Sequence, residues 1–216
     1  MRKIKQNTFL KKDTMLKLYC FPRSGNSREV KLALSEKNIP FTQVNVHEKD
    51  FNKEDPEFKK ASSQGKVPAI IDDGVYMSEA YHINEYLDKK HPVPPLMPKE
   101  EATRVKIREW VTLYDKRLVL RIGLLVIECL LKPKDQQKEE TKTKLRGEIA
   151  EGMKEVDTLL TGKDYLFGDY SLADIAITPH IAALPILGTG IPPELKNMIA
   201  WFGRIQARPS FKQSVL

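Results

Sequence analysis

A chain of 216 residues with 41% hydrophobic and 30% charged side chains has the make-up of a water-soluble globular protein, long enough for one large domain or two small ones. Its longest nearly unbroken apolar run, IGLLVIECLL, covers about ten residues, well short of the roughly 20 that span a bilayer, so it reads as a core or interface helix. The net charge of +7 is concentrated in residues 1–14, where Arg2, Lys3, Lys5, Lys11 and Lys12 face only Asp13. That arm reads as a solvated extension; it lacks the continuous apolar segment of a secretory signal, and the mildly basic remainder gives little reason to expect nucleic acid or a membrane as partner. Cys20 and Cys129 lie far apart in apolar stretches, without CxxC spacing, and the four histidines are scattered. Buried thiols in a reducing cytoplasm fit this pattern, and a metal centre does not.

Taken in chain order, LKLYCF (16–21) alternates with strand-forming residues, and REVKLALSEKN then carries a helical apolar face that should stop near Asn38, ahead of Pro40. FTQVNV (41–46) is a second strand, so the three form a β-α-β unit with a parallel pair. A polar stretch follows, with a short helix expected around Pro56 to Lys60. VPAII and VYM flank the turn Asp73-Gly74 as a hairpin, and SEAYHINEYLDKK (78–90) is helical. The order β-α-β, β-β-α predicts a four-stranded mixed sheet with packed helices, a thioredoxin-like α/β domain over 15–90. The Pro-rich segment 91–98 is a stiff linker, and beyond it strand signals vanish. The long pattern starting at Ala102 is one helix, or two broken near Gly123, and TKLRGEIAEGMKEVDTLLTG is amphipathic. Residues 99–216 are therefore expected to form an all-α domain.

Two motifs stand out. In GKVPAI the Val67–Pro68 pair opens a strand, where Pro cannot donate to a ladder. A cis bond there would turn the Val67 N–H and C=O outward, available to an extended peptide-like ligand. In FGDYSLADIA, Ser171 caps a helix with Asp174 at the third position returning to the cap amide, a structural role. His180, after Pro179 in the same helix, reads as a core or surface histidine rather than a base.

From residue 15 onward the chain resembles the cytosolic glutathione transferases, through LYCFPRSGNSREVKLALSEKNIPF, SSQGKVPAI, EAYHINEYLDKKHP, FGDYSLADIA and IQARPSF in that order. The resemblance implies a homodimer, glutathione as co-substrate with no other cofactor, and a hydrophobic electrophile bound between the domains. Ser24 falls where serine-type members place the hydroxyl that bonds the glutathione sulfur, with Arg28 adding positive potential. Cys20 does not match the cysteine of the reductase-like classes. Val67 matches the backbone reader of the cysteinyl group, with Pro68 beside it, Lys66 nearby for a carboxylate and Lys53 for the glycyl end. Glu79 matches the acidic member of a Glu-Ser pair that binds the γ-glutamyl end. Ala80 departs from that pair, and the missing hydroxyl is worth on the order of 1–2 kcal/mol. Tyr114, Arg117 and Arg121 are expected to wall the co-substrate site. The helix cap is assigned to Asn26 or Ser27, which leaves Ser24 to face a ligand.

A second resemblance runs through EYLDKKHPVPPLMP, ALPILG and ELKNMIAWFGRIQARPSF to the stringent starvation protein A group, which shares this architecture but binds RNA polymerase without transferase activity. FPRSGNSREV favours the enzymes, whereas Ala80 and the basic arm favour the binding proteins.

Overall fold

The structure, a computed structural model, describes residues 15–46 and 55–214. The basic arm and Lys53 lie outside the described residues. The first strand, β1 (Leu16–Cys20), pairs in parallel with β2 (Phe41–Asn45) across helix α1 (Gly25–Glu36). After the short helix α2 (Pro56–Ala61), β3 (Ala69–Asp72) runs antiparallel to β1 and to β4 (Val75–Ser78), giving the sheet order β2-β1-β3-β4. Asp73 and Gly74, at φ 48° and 81°, make the tight two-residue turn between β3 and β4, where both central positions need positive φ. Helix α3 (Ala80–Lys90) closes this layer. The mixed four-stranded sheet is the one expected from the element order.

The second half is helical. α4 (Glu101–Tyr114) and α5 (Leu120–Val126) form one continuous rod, joined by a π-helical turn at Asp115–Val119 and extended by another at Ile127–Leu131. Gly123 does not break it; the irregularities fall on either side, where i→i+5 hydrogen bonding inserts an extra residue. α6 (Glu139–Leu159) packs Leu145, Ile149, Met153 and Val156 inward, the face its periodicity predicts. α7 (Leu172–Ala183) is the buried spine, followed by α8 (Lys196–Ala207) and α9 (Pro209–Gln213).

The Ser171 capping box is present, and its acid does more than cap. Asp174, fully buried, accepts from Leu166 N, Ser171 N, Ser171 Oγ and Trp201 Nε1. Burial pushes its carboxyl up to about 6 even against those four donors. One acid thereby fixes the start of α7, the preceding loop and α8.

Helix α1 belongs to two cores. Val30 and Leu34 pack with the sheet, whereas Leu32 and Ala33 join the helical domain's cluster. At its far end Glu36 is gripped by Arg208 at 2.7 and 2.8 Å and also bonded by Ser210 Oγ. Arg208 in turn lies 3.7 Å over the Tyr170 ring. Lys37, its side chain fully enclosed, donates to His91 O and Pro94 O and pairs with Asp88, pinning the Pro-rich linker to α1 and α3.

Candidate functional site

The loop between β1 and α1 sets the site at the seam of the two domains. Ser24 is itself the N-cap: its Oγ accepts from Ser27 N at 3.1 Å, and its backbone N–H donates to Phe21 O. This corrects the assignment of the cap to Asn26 or Ser27. Ser27 is buried, and its Oγ accepts the Phe21 amide, fastening the loop to the helix. The correction does not remove Ser24 from the chemistry, because accepting one bond leaves its hydroxyl proton available.

Two cavities meet at Phe21 and Ser24. One, of about 390 Å³, is lined by Gln64, Gly65, Lys66 and Val67. The Val67–Pro68 bond is cis, as the motif required for an outward-facing Val67. The other cavity, of about 640 Å³, is walled by Val126, Leu130, Leu131, Pro179, Ala182 and Ile186 on the helical side. A hydroxyl at the start of α1 thus sits where a chamber on the sheet domain meets a larger one against the helical domain. No acidic side chain occupies the first turn of α1, so the partial positive charge of its amides is unopposed there.

A third cavity, of about 210 Å³, holds Glu79 and Ala80 together with Glu29 and Asp115. Glu79 has φ 72°, a conformation rare for a residue with a Cβ, and its side chain makes no capping bond. Burial, then the nearby Asp115 charge, pushes the Glu29 carboxyl well up, although Asn84 Nδ2 donates to it at 2.9 Å. Asp115 keeps much of its surface open to water, yet the pocket walls crowd it, and together with Glu79 they raise its carboxyl above the ordinary range. Three acids around one small cavity suit an ammonium group. Glu29 and Asp115 were not legible from the sequence: Glu29 sits inside an apolar helix face, and Asp115 gains its place through the π-helical turn.

The three residues expected to wall the co-substrate chamber do not line the cavity at Ser24. Tyr114 is buried and stacks on Trp110 at 4.8 Å between centroids, in a small crevice against α6. Arg117 and Arg121 pair with Glu155 and Glu148 of α6 on the surface. The helical turn that reaches the chamber lies further along, at Val126, Leu130 and Leu131. Lys66 is exposed at the rim of the cavity it shares with Gln64 and Val67.

His180 is a core residue. Burial lowers its imidazole to about 4, so the ring is neutral near pH 7. It abuts Gly25, where an added Cβ would lie 2.8 Å from Cε1 and 2.9 Å from Nδ1. Among the described residues no group of His, Cys, Asp and Glu is arranged to hold a metal, and no helix is long and apolar enough to cross a membrane.

This two-domain arrangement matches known proteins along most of its length. The family model for the glutathione S-transferase N-terminal domain matches residues 18–95, and that for the C-terminal domain matches 121–209. Glutathione S-transferase 2 of Saccharomyces cerevisiae is 28% identical over 206 residues, covering 91% of this chain and 88% of that protein. Glutathione S-transferase Z2 of Arabidopsis thaliana is 30% identical over 173 residues, covering 78% and 76%. A stringent starvation protein A homologue of Coxiella burnetii is 28% identical over 206 residues, covering 94% and 93%. In fold, the crystal structure of poplar glutathione transferase F1 superposes with a TM-score of 0.81 at 23% identity, covering 94% of this chain and 97% of that one. The chain belongs to the glutathione S-transferase family.

Proposed function

We propose that the protein is a glutathione transferase that joins the glutathione thiolate to an electrophile with an apolar body. The observation that carries this reading is Ser24, half-buried where a cavity lined by Gln64 to Val67 meets an apolar one against the helical domain, with its O–H free to donate. A thiol reacts as its thiolate, and the anion is favoured by a helix N-terminus and a donated hydroxyl. Lowering a thiol pKa by about two units takes about 2.7 kcal/mol, within reach of those two contributions. In this reading Val67 holds the cysteinyl backbone, Lys66 and Lys53 serve the carboxylates, and Glu79 with Asp115 holds the γ-glutamyl ammonium. A homodimer, as the sequence resemblance implies, is part of the same proposal, as is a place in the cytoplasm.

Calorimetry with millimolar glutathione, followed by turnover of a generic aryl halide, tests it. Saturable binding and turnover are expected. Absence of any thiol binding would overturn the transferase reading in favour of a polymerase-binding protein of the stringent starvation protein A kind. Ala80, which removes one hydroxyl from the γ-glutamyl end, is the feature that favours this second reading.

A further inference from the structure

The apolar cavity at Ser24 has an unusual charge pattern. Its lining includes two arginines, Arg23 and Arg28, and no acidic residue. Arg28 is half-buried on the second turn of α1. Its Nε donates to Ser214 Oγ at 3.2 Å, its Nη2 donates to Phe211 O at 3.3 Å, and its guanidinium lies 4.6 Å over the Phe211 ring. All these partners are neutral. Arg104, Arg108, Arg117, Arg121, Arg204 and Arg208, by contrast, each pair with a carboxylate. Burial lowers the Arg28 pKa, and among the described residues no acid offsets it. A guanidinium held partly out of water with no counter-ion among the described residues carries a cost that a ligand's anion would recover. The tail contacts from α9 hold the group in place, so little further ordering is needed on binding.

We infer that the electrophile taken by this cavity carries a carboxylate or similar anionic group on its apolar body, and that Arg28 receives it. This rests on the transferase reading above. Arg23, exposed at the cavity rim, adds positive potential, and the apolar walls take the rest of the molecule. The reaction itself is unchanged. For an aryl chloride, the glutathione sulfur forms the C–S bond, the C–Cl bond breaks, chloride leaves with the electron pair, and the thiol proton has already passed to solvent.

The test compares an ortho-nitro aryl chloride bearing a para carboxylate with its methyl ester, each rate divided by the uncatalysed thiolate rate. The wild-type protein should prefer the acid by about tenfold in normalised kcat/KM, the range of one charge-assisted bond. Arg28→Gln should bring the ratio near one, and Arg28→Lys, which keeps the charge but loses the fork, should retain part of it. Equal normalised rates for acid and ester in the wild type, or a preference that survives in Arg28→Gln, would overturn the inference. If Arg28→Gln does not fold, the wild-type comparison and Arg28→Lys decide. If the wild type turns over neither compound, the transferase reading fails, and the inference is then read from binding. For that arm the unreactive nitrobenzoate and its methyl ester are titrated by calorimetry: tighter binding of the acid supports it, and equal affinity overturns it.

Discussion

Ser24 Oγ accepts the Ser27 amide through one lone pair, and a hydroxyl has two lone pairs and a proton. The cap and the proposed sulfur contact therefore draw on different parts of one group. Ser24→Ala removes both and should cost about 1 kcal/mol of stability along with roughly 10–100-fold in kcat/KM. Ser24→Asp retains a good cap but places a negative charge beside the thiolate. Its melting temperature should stay near wild type while thiolate absorbance and turnover collapse. Loss of stability without loss of activity in Ser24→Ala would reduce the residue to its cap. Asp115 supplies a second test. Its carboxyl is raised by crowding and then by Glu79, so at neutral pH the charge costs stability that an ammonium ligand would repay. Asp115→Asn should leave the melting temperature unchanged or slightly higher while weakening glutathione binding by about tenfold in calorimetry. For the wild type, the sign follows: a carboxylate titrating above its ordinary value loses charge sooner on acidification, so affinity should begin to fall at a pH above about 4.

Helix α1 is held at its first residue by a contact with α7 that has no slack. An alanine at Gly25 would place its Cβ within 3 Å of the His180 ring, which is buried and cannot swing away. Gly25→Ala should therefore cost about 1–3 kcal/mol, as overpacking does, and displace the neighbouring Ser24. In a His180→Ala background the same change should cost much less, a coupling that a double-mutant cycle of thermal melts reads directly. His180 also gives the pair a pH signature. Its pKa is depressed to about 4 in the folded chain from about 6.5 unfolded, so the unfolded state binds more protons between those values. Stability should fall as pH drops through that window, and Gly25 would sense it first.

At the scale of the whole chain, the clasp between Glu36 and Arg208 joins α1 to the C-terminal helices. Burial opposes the Glu36 charge, but the bonds from Arg208 and Ser210 outweigh it and hold the carboxyl below its usual range. Arg208→Ala should cost about 2–3 kcal/mol, and the wild-type advantage over the variant should vanish as pH falls through the depressed Glu36 pKa, measured by denaturant unfolding. The architecture was largely legible in the sequence. Strand alternation, the Asp73-Gly74 turn and the Ser171 box each act over a few residues, so local pattern is enough to find them. The walls of the site were not. Tyr114, Arg117 and Arg121 carry the right side chains, but the rod meets the chamber at Val126, Leu130 and Leu131, beside and within its second π-helical turn. Such a turn is a tertiary outcome that periodicity counted at 3.6 residues cannot report. The Arg28 environment depends on α9, some 180 residues away in the chain, and no local signal announces it.

Because α1 gives one face to the sheet and the other to the helical bundle, the seam between the domains is not a place where the chain can be divided. A fragment ending at residue 90 would present Leu32 and Ala33 bare to water, and the remaining half would have a groove where they belonged. The two halves are obliged to change together over evolutionary time, since a bulkier side chain on α7 must be met by a smaller one on α1. Chimaeras that exchange first domains among relatives should fold only when the Leu32 and Ala33 face travels with a matching α7.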